Sequence, residues 1–472
     1  MAPKVSVGVV GAGVSGVVAA VHLKVEGADI TVFERAPVAG GVWVFDERLP
    51  PEPAYPSENP SEADFTALTE EESWRSSGKA PSGTQVIDDA QNNVPTELMK
   101  LKVNSWPPDT PPHVRHSVLA KYIQNTADKY HVSDSTLFDT RVDHVSKSGA
   151  KWKVQTTTLQ SKDSKDRQKI TRFWEFDKLV IATGHYHACK IPDLPGLTQW
   201  KTTWPSRVQH SKSYRNAKKF KDKIVLLVGA SVSSTDIAKE LGLITKKVYQ
   251  VSRGGVFDLP TAMLPPNGTR VGAIASFSTP TTASASEPLA PDAPIPGTVT
   301  LESGEVLHDV DYVILCTGYH MSLPFLRDLH ADSTPPTAAG PAVLVTDGTQ
   351  MHNLHLDIFY VPDPSLAFVG VPYHIATFSF FEYQAIAVAR VFVGRAALPS
   401  REEMRRLYDE RVRAKGVGKV FHSLRGAEES DYVDRLLEWI NQDGRQFDAD
   451  EVQGHSPEWR QAKAALLAKT IS

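Results

Sequence analysis

Three glycines near the amino terminus have the spacing that lets a polypeptide backbone approach a dinucleotide. They lie in the turn Gly11, Ala12, Gly13, Val14, Ser15 and Gly16. In such a turn the first glycine allows the tight bend, the second lets the backbone approach a pyrophosphate, and the third lets helix and strand pack closely. Glu34, at the end of a later apolar run, can accept a hydrogen bond from a ribose hydroxyl. The pattern therefore predicts dinucleotide binding.

The segments around these glycines occur in the order that such a site requires. Residues 5–10 predict a strand, the residues after Gly13 a helix to about Glu26, and residues 30–33 a second strand. The alternative is a glycine-rich turn with only a structural role. Such a turn does not require a strand before it and a helix and a second strand after it. We therefore expect phosphates to face the free N–H groups at the start of the helix.

A second segment repeats this arrangement further along the chain. Residues 224–228 predict a strand that enters a turn at 229–234, where Ser231 and Ser234 replace two of the glycines. Their hydroxyls could donate to phosphate oxygens. Arg253 follows the next strand where the first segment carries Glu34, and an arginine there accommodates a 2′-phosphate. The segment therefore predicts NADP in preference to NAD, unless Arg253 is simply a solvated loop residue.

Composition limits the remaining functions. The chain has 472 residues, a formal net charge of -4 and a pI of about 6.5, so it is long enough for several domains and offers no basic field for nucleic acid. Cys189 and Cys316 are too few for a disulfide framework or a metal cluster. With no apolar run of 18 residues and no signal-peptide pattern, the sequence predicts a cytoplasmic protein without a transmembrane segment.

Two similar strand ends predict the domain boundaries. Residues 176–181 lead into Ala182-Thr183-Gly184, and residues 311–315 lead into Cys316-Thr317-Gly318. We interpret them as two crossings between domains, with limits at 1–203, 204–325 and 326–472. Short alternating strands between 136 and 157 predict an antiparallel flap. Residues 50–82, rich in proline, serine and acid, predict a loose surface excursion.

Three further features could contribute to a site. The loop Gly41-Val42-Trp43 offers a flat indole to a ring system or, alternatively, a hydrophobic staple. Asn93 precedes a turn proline, and its amide could point into a pocket or be structural. Ser379 and Glu382 form a capping-box pattern at the start of an apolar helix that ends at Gly394. The N-terminus of that helix could stabilise negative charge, or the helix could simply be a capped core element.

Together these motifs resemble the flavin-containing monooxygenases, the single-component class that uses FAD and NADPH, over most of the chain. The resemblance implies a two-dinucleotide-binding-domain α/β flavoprotein, with an NADPH domain inserted into an FAD domain. It implies cofactor contacts, with the last four at the NADP site, at Gly11, Gly13, Val14, Ser15, Gly16, Glu34, Arg35, Gly41, Val42, Trp43, Asn93, Val142, Thr183, Gly184, Gln384, Ser231, Ser233, Ser234 and Arg253. Asn93 matches the active-site asparagine, and the backbone at Val142 lies where the family meets the FAD adenine.

The family signature FxGxxxHxxx(Y/F) is partly kept. His210 and Tyr214 are present, whereas Trp204 and Ser206 replace phenylalanine and glycine. Tyr214 stands where Baeyer–Villiger relatives carry tryptophan, which favours oxygenation of a heteroatom. His210 is expected to have a hinge role or, alternatively, to transfer protons.

The resemblance also implies a reaction. NADPH would reduce the flavin, O2 would add at C4a, and the hydroperoxide would transfer one oxygen atom to an amine nitrogen or a sulfide sulfur of a small molecule. Asn93 is expected to help hold NADP⁺ beside the flavin. A Baeyer–Villiger oxygenase and a flavin-binding interaction protein without turnover are the alternatives, and a homodimer is compatible with each. A disulfide reductase is disfavoured because Cys189 and Cys316 form no CxxC pair.

Overall fold

A computed structural model describes residues 4–45, 50, 52–62, 92–163, 166–281, 289–447 and 449–471. The chain divides into two compact units. The first unit comprises Met1–Val44, Gln91–His185 and Met321–Ser472, and the second comprises Phe45–Ala90 and Tyr186–His320.

The amino-terminal part of the first unit supplies a strand–helix–strand core and the flap. Its elements are β1 (Ser6–Val10), α1 (Val14–Val25), β2 (Asp29–Phe33), α2 (His116–Lys129), β3 (Thr136–Leu137), β4 (Thr140–Ser148), β5 (Lys151–Asp163), β6 (Asp166–Phe176) and β7 (Lys178–Ile181). The flap predicted between residues 136 and 157 is confirmed as the antiparallel sheet β4–β5–β6, which extends beyond the predicted end.

The second unit is a parallel sheet with smaller antiparallel additions. Its elements are β8 (Ala188–Cys189), α3 (Leu197–Thr203), β9 (Val208–His210), β10 (Ile224–Val228), α4 (Val232–Leu241), β11 (Lys247–Val251), β12 (Gly268–Val271), β13 (Ile274–Phe277), β14 (Val299–Leu301), β15 (Val306–Leu307), β16 (Tyr312–Leu315) and β17 (Tyr319–His320). The parallel strands follow the order β12-β11-β10-β16-β9.

The carboxy-terminal part of the chain returns to the first unit and is mainly helical. Its elements are β18 (Leu354–His355), β19 (Phe359–Tyr360), β20 (Leu366–Phe368), α5 (Thr377–Phe392), α6 (Arg401–Lys415), α7 (Glu428–Gly444) and α8 (Pro457–Ile471). The complete first sheet has the order β18-β19-β20-β7-β1-β2-β3. α1 packs against α5 on one face of this sheet.

Strand β1 shows why continuous apolar runs form these sheets. It pairs in parallel with β2 and β7, so both of its faces are covered and both must be apolar. Val9 packs into the cluster that contains α1 and α5, whereas Val10 packs on the opposite face with the flap. Strand β10 has the same central place in the second sheet. The predicted α/β fold with two Rossmann-like units is therefore confirmed.

The unit boundaries differ from the predicted limits at 203/204 and 325/326. Residues 186–203 belong to the second unit because β8 pairs with β17 and because Trp200 of α3 is buried in that unit's core. The described part of segment 50–82 also belongs there, since Ser57 pairs with Ile191. Residues 51 and 63–82 lie outside the described part of the chain.

Candidate functional site

Two glycines of the first turn are required by packing within the protein. Gly11 has φ +102, and a Cβ atom there would lie 2.6 Å from the Ala182 carbonyl oxygen. A Cβ atom on Gly16 would lie 1.8 Å from the Gly11 carbonyl oxygen. Because β1, α1 and β7 meet at this point, any larger residue would force them apart.

Gly13 is different, because packing within the protein does not explain it. A Cβ atom there would meet only the Gly41 Cα atom, at 3.6 Å, which is an ordinary contact. Gly13 is the N-cap of α1, the first turn of α1 has no acidic residue, and no side chain among the described residues caps it. An uncapped helix start beside an open glycine is the arrangement that binds a pyrophosphate. The residues present therefore fit the diphosphate of FAD. Val14 is half-buried and Ser15 is buried at the start of α1.

Glu34 organises this turn as well as ending β2. Its carboxylate is buried and accepts hydrogen bonds from the backbone N–H groups of Ala12 at 2.7 Å and Ala36 at 2.8 Å. Each carboxylate oxygen keeps a further acceptor site, so a ribose hydroxyl could still be bound. The anchoring of the turn by Glu34 was not predicted from the sequence. Arg35 follows it and is half-buried.

The loop at residues 40–43 packs directly on the glycine turn. Gly40 donates its N–H to the Ala12 carbonyl oxygen at 2.9 Å, and a Cβ atom on Gly41 would lie 2.9 Å from the Gly13 Cα atom. Trp43 makes an edge contact with Phe378, with ring centroids 6.1 Å apart. Trp43 thus packs against the core in the manner of a staple, while Val42 and the loop backbone remain beside the predicted cofactor turn.

Two adjacent asparagines have different environments. Asn92 is buried, its Nδ2 donates to the Pro112 carbonyl oxygen at 3.0 Å, and its Oδ1 accepts from the Val114 N–H at 2.6 Å. Asn93 is exposed. The structural role expected of an asparagine before a turn proline therefore belongs to Asn92. This leaves the Asn93 amide available, as the predicted site requires.

The predicted capping box at the start of α5 is wrong. The helix begins at Thr377, before Ser379, and the Ser379 hydroxyl donates to the Leu98 carbonyl oxygen at 2.9 Å. Glu382 is fully buried and accepts from the Val103 N–H at 3.0 Å. A carboxylate from α7 already lies at this helix start, because the Ala376 N–H donates to Glu429 at 2.8 Å. The predicted end of the helix before Gly394 is confirmed.

Gln384 reaches the glycine turn indirectly. It is fully buried, accepts from the Gly370 N–H at 3.0 Å and donates to the Tyr432 hydroxyl at 2.9 Å. Gly370 in turn packs against Ser15, since a Cβ atom there would lie 2.4 Å from the Ser15 hydroxyl oxygen. With both ends of its amide bonded within the protein, Gln384 positions Gly370 beside Ser15.

The other predicted FAD contacts lie at strand ends and in the flap. Val142 is buried in β4, next to an irregularity in its pairing with β5. Thr183 and Gly184 follow β7 directly, and Gly184 is exposed with φ +66. Thr183 and Gly184 lie at the carboxyl end of a parallel strand, so they occupy the edge where open α/β sheets bind ligands.

The turn of the second unit repeats the first at its start. A Cβ atom on Gly229 would lie 2.5 Å from the Cys316 carbonyl oxygen. Ser231 is the N-cap of α4, and among the described residues no side chain caps this helix. Its first turn contains no acidic residue, and Ser233 is half-buried there. This helix start also fits a phosphate group.

Ser234 does not have the phosphate-facing position that we expected from the sequence. It is 1% exposed, and its hydroxyl oxygen accepts a hydrogen bond from Gln250 Nε2 at 2.8 Å. Gln250 also contacts the Thr235 hydroxyl and accepts from Arg270 Nε at 2.8 Å. Ser234 therefore joins α4 to β11, and its hydroxyl faces the sheet. No local pattern indicated this role, because Gln250 and Arg270 lie on separate strands.

Arg253 lies on an exposed turn directly after β11. Ser252, on its amino-terminal side, donates its N–H to the Val271 carbonyl oxygen at 3.0 Å. The backbone next to Arg253 is thus held near the end of the strand, where a residue that binds the 2′-phosphate is predicted. No local pattern identified Asp258 as part of this turn.

His210 is buried in the second unit. Burial lowers its pKa to about 3, and its Nδ1 accepts from the Lys212 N–H at 3.1 Å. Its ring makes an edge contact with Tyr319, with centroids 5.3 Å apart. Tyr319 lies in β17, close to where the chain leaves this unit. The hinge role expected of the signature histidine stays a prediction.

Other classes of site receive no support from the described residues. Within them, no group of histidine, cysteine and acidic side chains could hold a metal ion. No helix in that part of the chain is long and apolar enough to cross a membrane. Cys189 and Cys316 are both buried.

The structural neighbours carry the same fold. The chain superposes with a TM-score of 0.71 on S-allyl-L-cysteine S-oxygenase from Allium sativum, at 23% identity over 99% of this chain and 93% of that one. It superposes with a TM-score of 0.68 on Tmm from Pelagibacter sp. strain HTCC7211, at 20% identity over 98% and 89%. For cyclohexanone monooxygenase the TM-score is 0.55, at 12% identity over 94% and 98%.

Comparison of sequences shows the family. Residues 71–263 match the flavin-binding monooxygenase-like model, and residues 9–56 match an NAD(P)-binding Rossmann-like domain. The chain is 36% identical to flavin-containing monooxygenase ustF1 of Aspergillus flavus, over 98% of this chain and 89% of that protein. It is 43% identical to flavin-containing monooxygenase ustF2 of the same fungus, over 98% and 97%. The protein therefore belongs to the flavin-containing monooxygenases, enzymes that use FAD and NADPH.

Proposed function

We propose that this monooxygenase transfers one oxygen atom from O2 to an amine nitrogen or a sulfide sulfur of a small molecule. We assign FAD to the first unit and NADPH to the second. The observation that carries the assignment is the difference between the two turns. In the first unit the turn has an open glycine and the buried carboxylate of Glu34 follows β2, whereas in the second unit the exposed Arg253 follows β11.

Each unit contributes binding and orientation. FAD, when bound, supplies the chemistry that joins oxidation of NADPH to activation of O2. The uncapped start of α1 binds the diphosphate, and Glu34 fixes both the turn and the ribose. The uncapped start of α4 binds the NADPH phosphates. Asn93 has an amide that can donate and accept hydrogen bonds, and we assign to it the contact that retains NADP⁺ and excludes water during turnover.

Preference for a soft nucleophile rests on two features. Tyr214 ends the signature where Baeyer–Villiger relatives carry tryptophan. Burial lowers the pKa of His210 to about 3, which disfavours this histidine as a general acid at neutral pH. An amine or a sulfide is already nucleophilic and needs little proton transfer to be attacked by an electrophilic oxygen, so the site suits these substrates. One structural neighbour is named for oxygenation at sulfur, although at 23% identity it supports the fold alone.

The test has a spectroscopic part and a product part. The purified protein should be yellow, and anaerobic NADPH should bleach the flavin absorbance. With O2 present, an amine, a sulfide and a ketone are offered in parallel, and the products are identified by mass spectrometry. Oxidised amine or sulfide without ester supports the proposal. Ester from the ketone alone would show Baeyer–Villiger chemistry, and a flavin that NADPH leaves oxidised would support an interaction protein without turnover.

Arg253→Ala tests the NADPH assignment. Loss of a charge-assisted contact to the 2′-phosphate is worth roughly 1.5–3 kcal/mol, so the KM for NADPH should rise about ten- to a hundredfold. The KM for NADH should hardly change, because NADH lacks this phosphate. An equal rise for both nucleotides would contradict the role given to Arg253.

A further inference from the structure

The turn that carries Arg253 is anchored at both of its ends. At one end the Ser252 N–H donates to the Val271 carbonyl oxygen at 3.0 Å, at the end of β12. At the other end the Leu259 N–H donates to the Ala230 carbonyl oxygen at 2.9 Å, within the phosphate turn itself. The segment between them therefore has a fixed place beside the start of α4, although Arg253 is exposed.

Asp258 closes this turn from within. Its Oδ2 accepts hydrogen bonds from the Ser252 hydroxyl and, at 3.1 Å, from the Gly255 N–H. The Ser252 hydroxyl oxygen also accepts from the Gly254 N–H at 2.9 Å. The N–H groups of both glycines are thus bonded within the turn. Recognition of an anion outside it is consequently left to the guanidinium group of Arg253.

A second arginine near the turn has a different role. Arg270 donates from Nη2 to the Leu259 carbonyl oxygen at 2.9 Å and from Nε to Gln250 at 2.8 Å. It is half-buried in β12. These bonds hold the far end of the turn, and they direct the Arg270 guanidinium towards protein acceptors. Arg253 is left as the exposed arginine of the turn.

We propose that Asp258 is a positioning residue that makes the enzyme specific for NADPH by holding the turn in the shape that presents Arg253 to the 2′-phosphate. This rests on the NADPH assignment proposed for the second unit. A carboxylate close to a bound phosphate is unfavourable by charge alone. Asp258 therefore contributes through the two hydrogen bonds it accepts. An uncharged side chain of the same shape that accepts the same bonds should preserve the specificity for NADPH.

The matched pair of variants is Asp258→Asn and Asp258→Ala. Asparagine keeps an oxygen acceptor and removes the charge, whereas alanine removes the acceptor and releases Ser252 and Gly255. We expect Asp258→Ala to raise the KM for NADPH about tenfold, with kcat and the KM for NADH nearly unchanged. Asp258→Asn should keep the KM for NADPH within about twofold of the wild-type value. Ser252→Ala removes the bond donated to Asp258 and the bond accepted from the Gly254 N–H, so it should raise the KM for NADPH about as much as Asp258→Ala does.

Binding without turnover provides an independent measurement. Isothermal titration of the FAD-loaded enzyme compares adenosine 2′,5′-bisphosphate with adenosine 5′-phosphate. Asp258→Ala should weaken binding of the bisphosphate about tenfold and leave the monophosphate unchanged. Equal weakening of both nucleotides would show a general loss of structure and would overturn the proposal. Asparagine as damaging as alanine would also overturn it.

The NADPH assignment of this turn and the positioning role of Asp258 can be contradicted separately. If Arg253→Ala removes the preference for the bisphosphate while Asp258→Ala does not, Arg253 stands and the positioning role of Asp258 is wrong. If neither variant changes the preference, the NADPH assignment of this turn is wrong. Thermal unfolding and flavin content of each variant show that the compared proteins are folded.

Discussion

The turn at Gly11 and the turn at Gly229 bend in the same way but are fixed to their units by different chemistry. Both glycines have a left-handed conformation, with φ +102 and φ +118. Both pass so close to a neighbouring strand end that a Cβ atom would lie 2.6 Å from the Ala182 carbonyl oxygen in one case and 2.5 Å from that of Cys316 in the other. The bend itself is therefore an equal requirement in both units.

The third position of each turn shows the difference. Gly16 approaches its own turn closely, because a Cβ atom would lie 1.8 Å from the Gly11 carbonyl oxygen. Ser234 occupies the corresponding place in the second unit and is held by Gln250, which Arg270 holds in turn. One unit thus joins helix to sheet by backbone packing, and the other does so by a buried polar network. Glycine therefore fits this position only in the first unit, and serine only in the second, because the neighbouring residues differ.

Exchanging these residues should give the largest effect. Gly16→Ser places a side chain where no room exists, so we expect a loss of more than about 4 kcal/mol of stability and failure to retain FAD. Ser234→Gly removes one buried hydrogen bond and puts glycine into a helix, which together cost about 2–3 kcal/mol. Chemical denaturation and flavin content measure both. A stable, flavin-loaded Gly16→Ser variant would show that the two turns are closed in the same way.

Gly13→Ala should separate cofactor binding from folding. The added methyl group meets only Gly41, at 3.6 Å, so the protein should fold with nearly unchanged stability. It would stand between the backbone and the pyrophosphate, so the variant should purify without FAD. The matched comparison is Ser231→Ala in the second unit, where a Cβ atom is already present and only the hydroxyl is lost, so NADPH binding should weaken while FAD is retained. A full flavin complement in Gly13→Ala would mean that the first turn does not bind the diphosphate.

What could be predicted from the sequence depended on whether the cause was local. Glycines near Gly11 and apolar runs on both sides specify strand, turn and helix within a few residues, and these elements form as expected. Ser234 and Glu382 were misinterpreted because distant partners decide their roles. Ser234 in α4 accepts a hydrogen bond from Gln250 on β11, and Glu382 accepts from backbone N–H groups at residues 102–103. Such partners become visible only when the tertiary fold is known.

Buried histidines extend the comparison of the two units to pH. Burial lowers the pKa of His352 and of His355 in the first unit to about 4, and that of His210 in the second to about 3. An unfolded histidine has a pKa of about 6.5, so between pH 6.5 and 4 the unfolded chain binds more protons than the folded one. Stability should therefore fall as the pH falls, by about 2 kcal/mol per histidine between pH 7 and pH 5.

Urea denaturation at these two pH values measures the effect. His352→Gln should lose about 2 kcal/mol less than the wild type over the same interval, because glutamine does not titrate. His352 is 1% exposed and bonded to Thr346 at 3.0 Å, so the variant will be less stable at pH 7. The informative quantity is the change with pH. An unaltered pH dependence would show that His352 is not a source of the acid sensitivity.

The smallest expected change in stability comes from Asn93, and the comparison with Asn92 makes it interpretable. Asn92 holds Pro112 and Val114 through its side chain, so Asn92→Ala should destabilise the first unit by about 1–3 kcal/mol. Asn93 is exposed, so Asn93→Ala should leave the unfolding transition almost unchanged.

If the Asn93 amide retains NADP⁺ and excludes water, NADPH oxidation should persist in Asn93→Ala while hydrogen peroxide rises and oxygenated product falls severalfold. The ratio of product to NADPH consumed decides the question. A fully coupled Asn93→Ala enzyme would make Asn93 a surface residue, and loss of NADPH oxidation itself would place its role in hydride transfer.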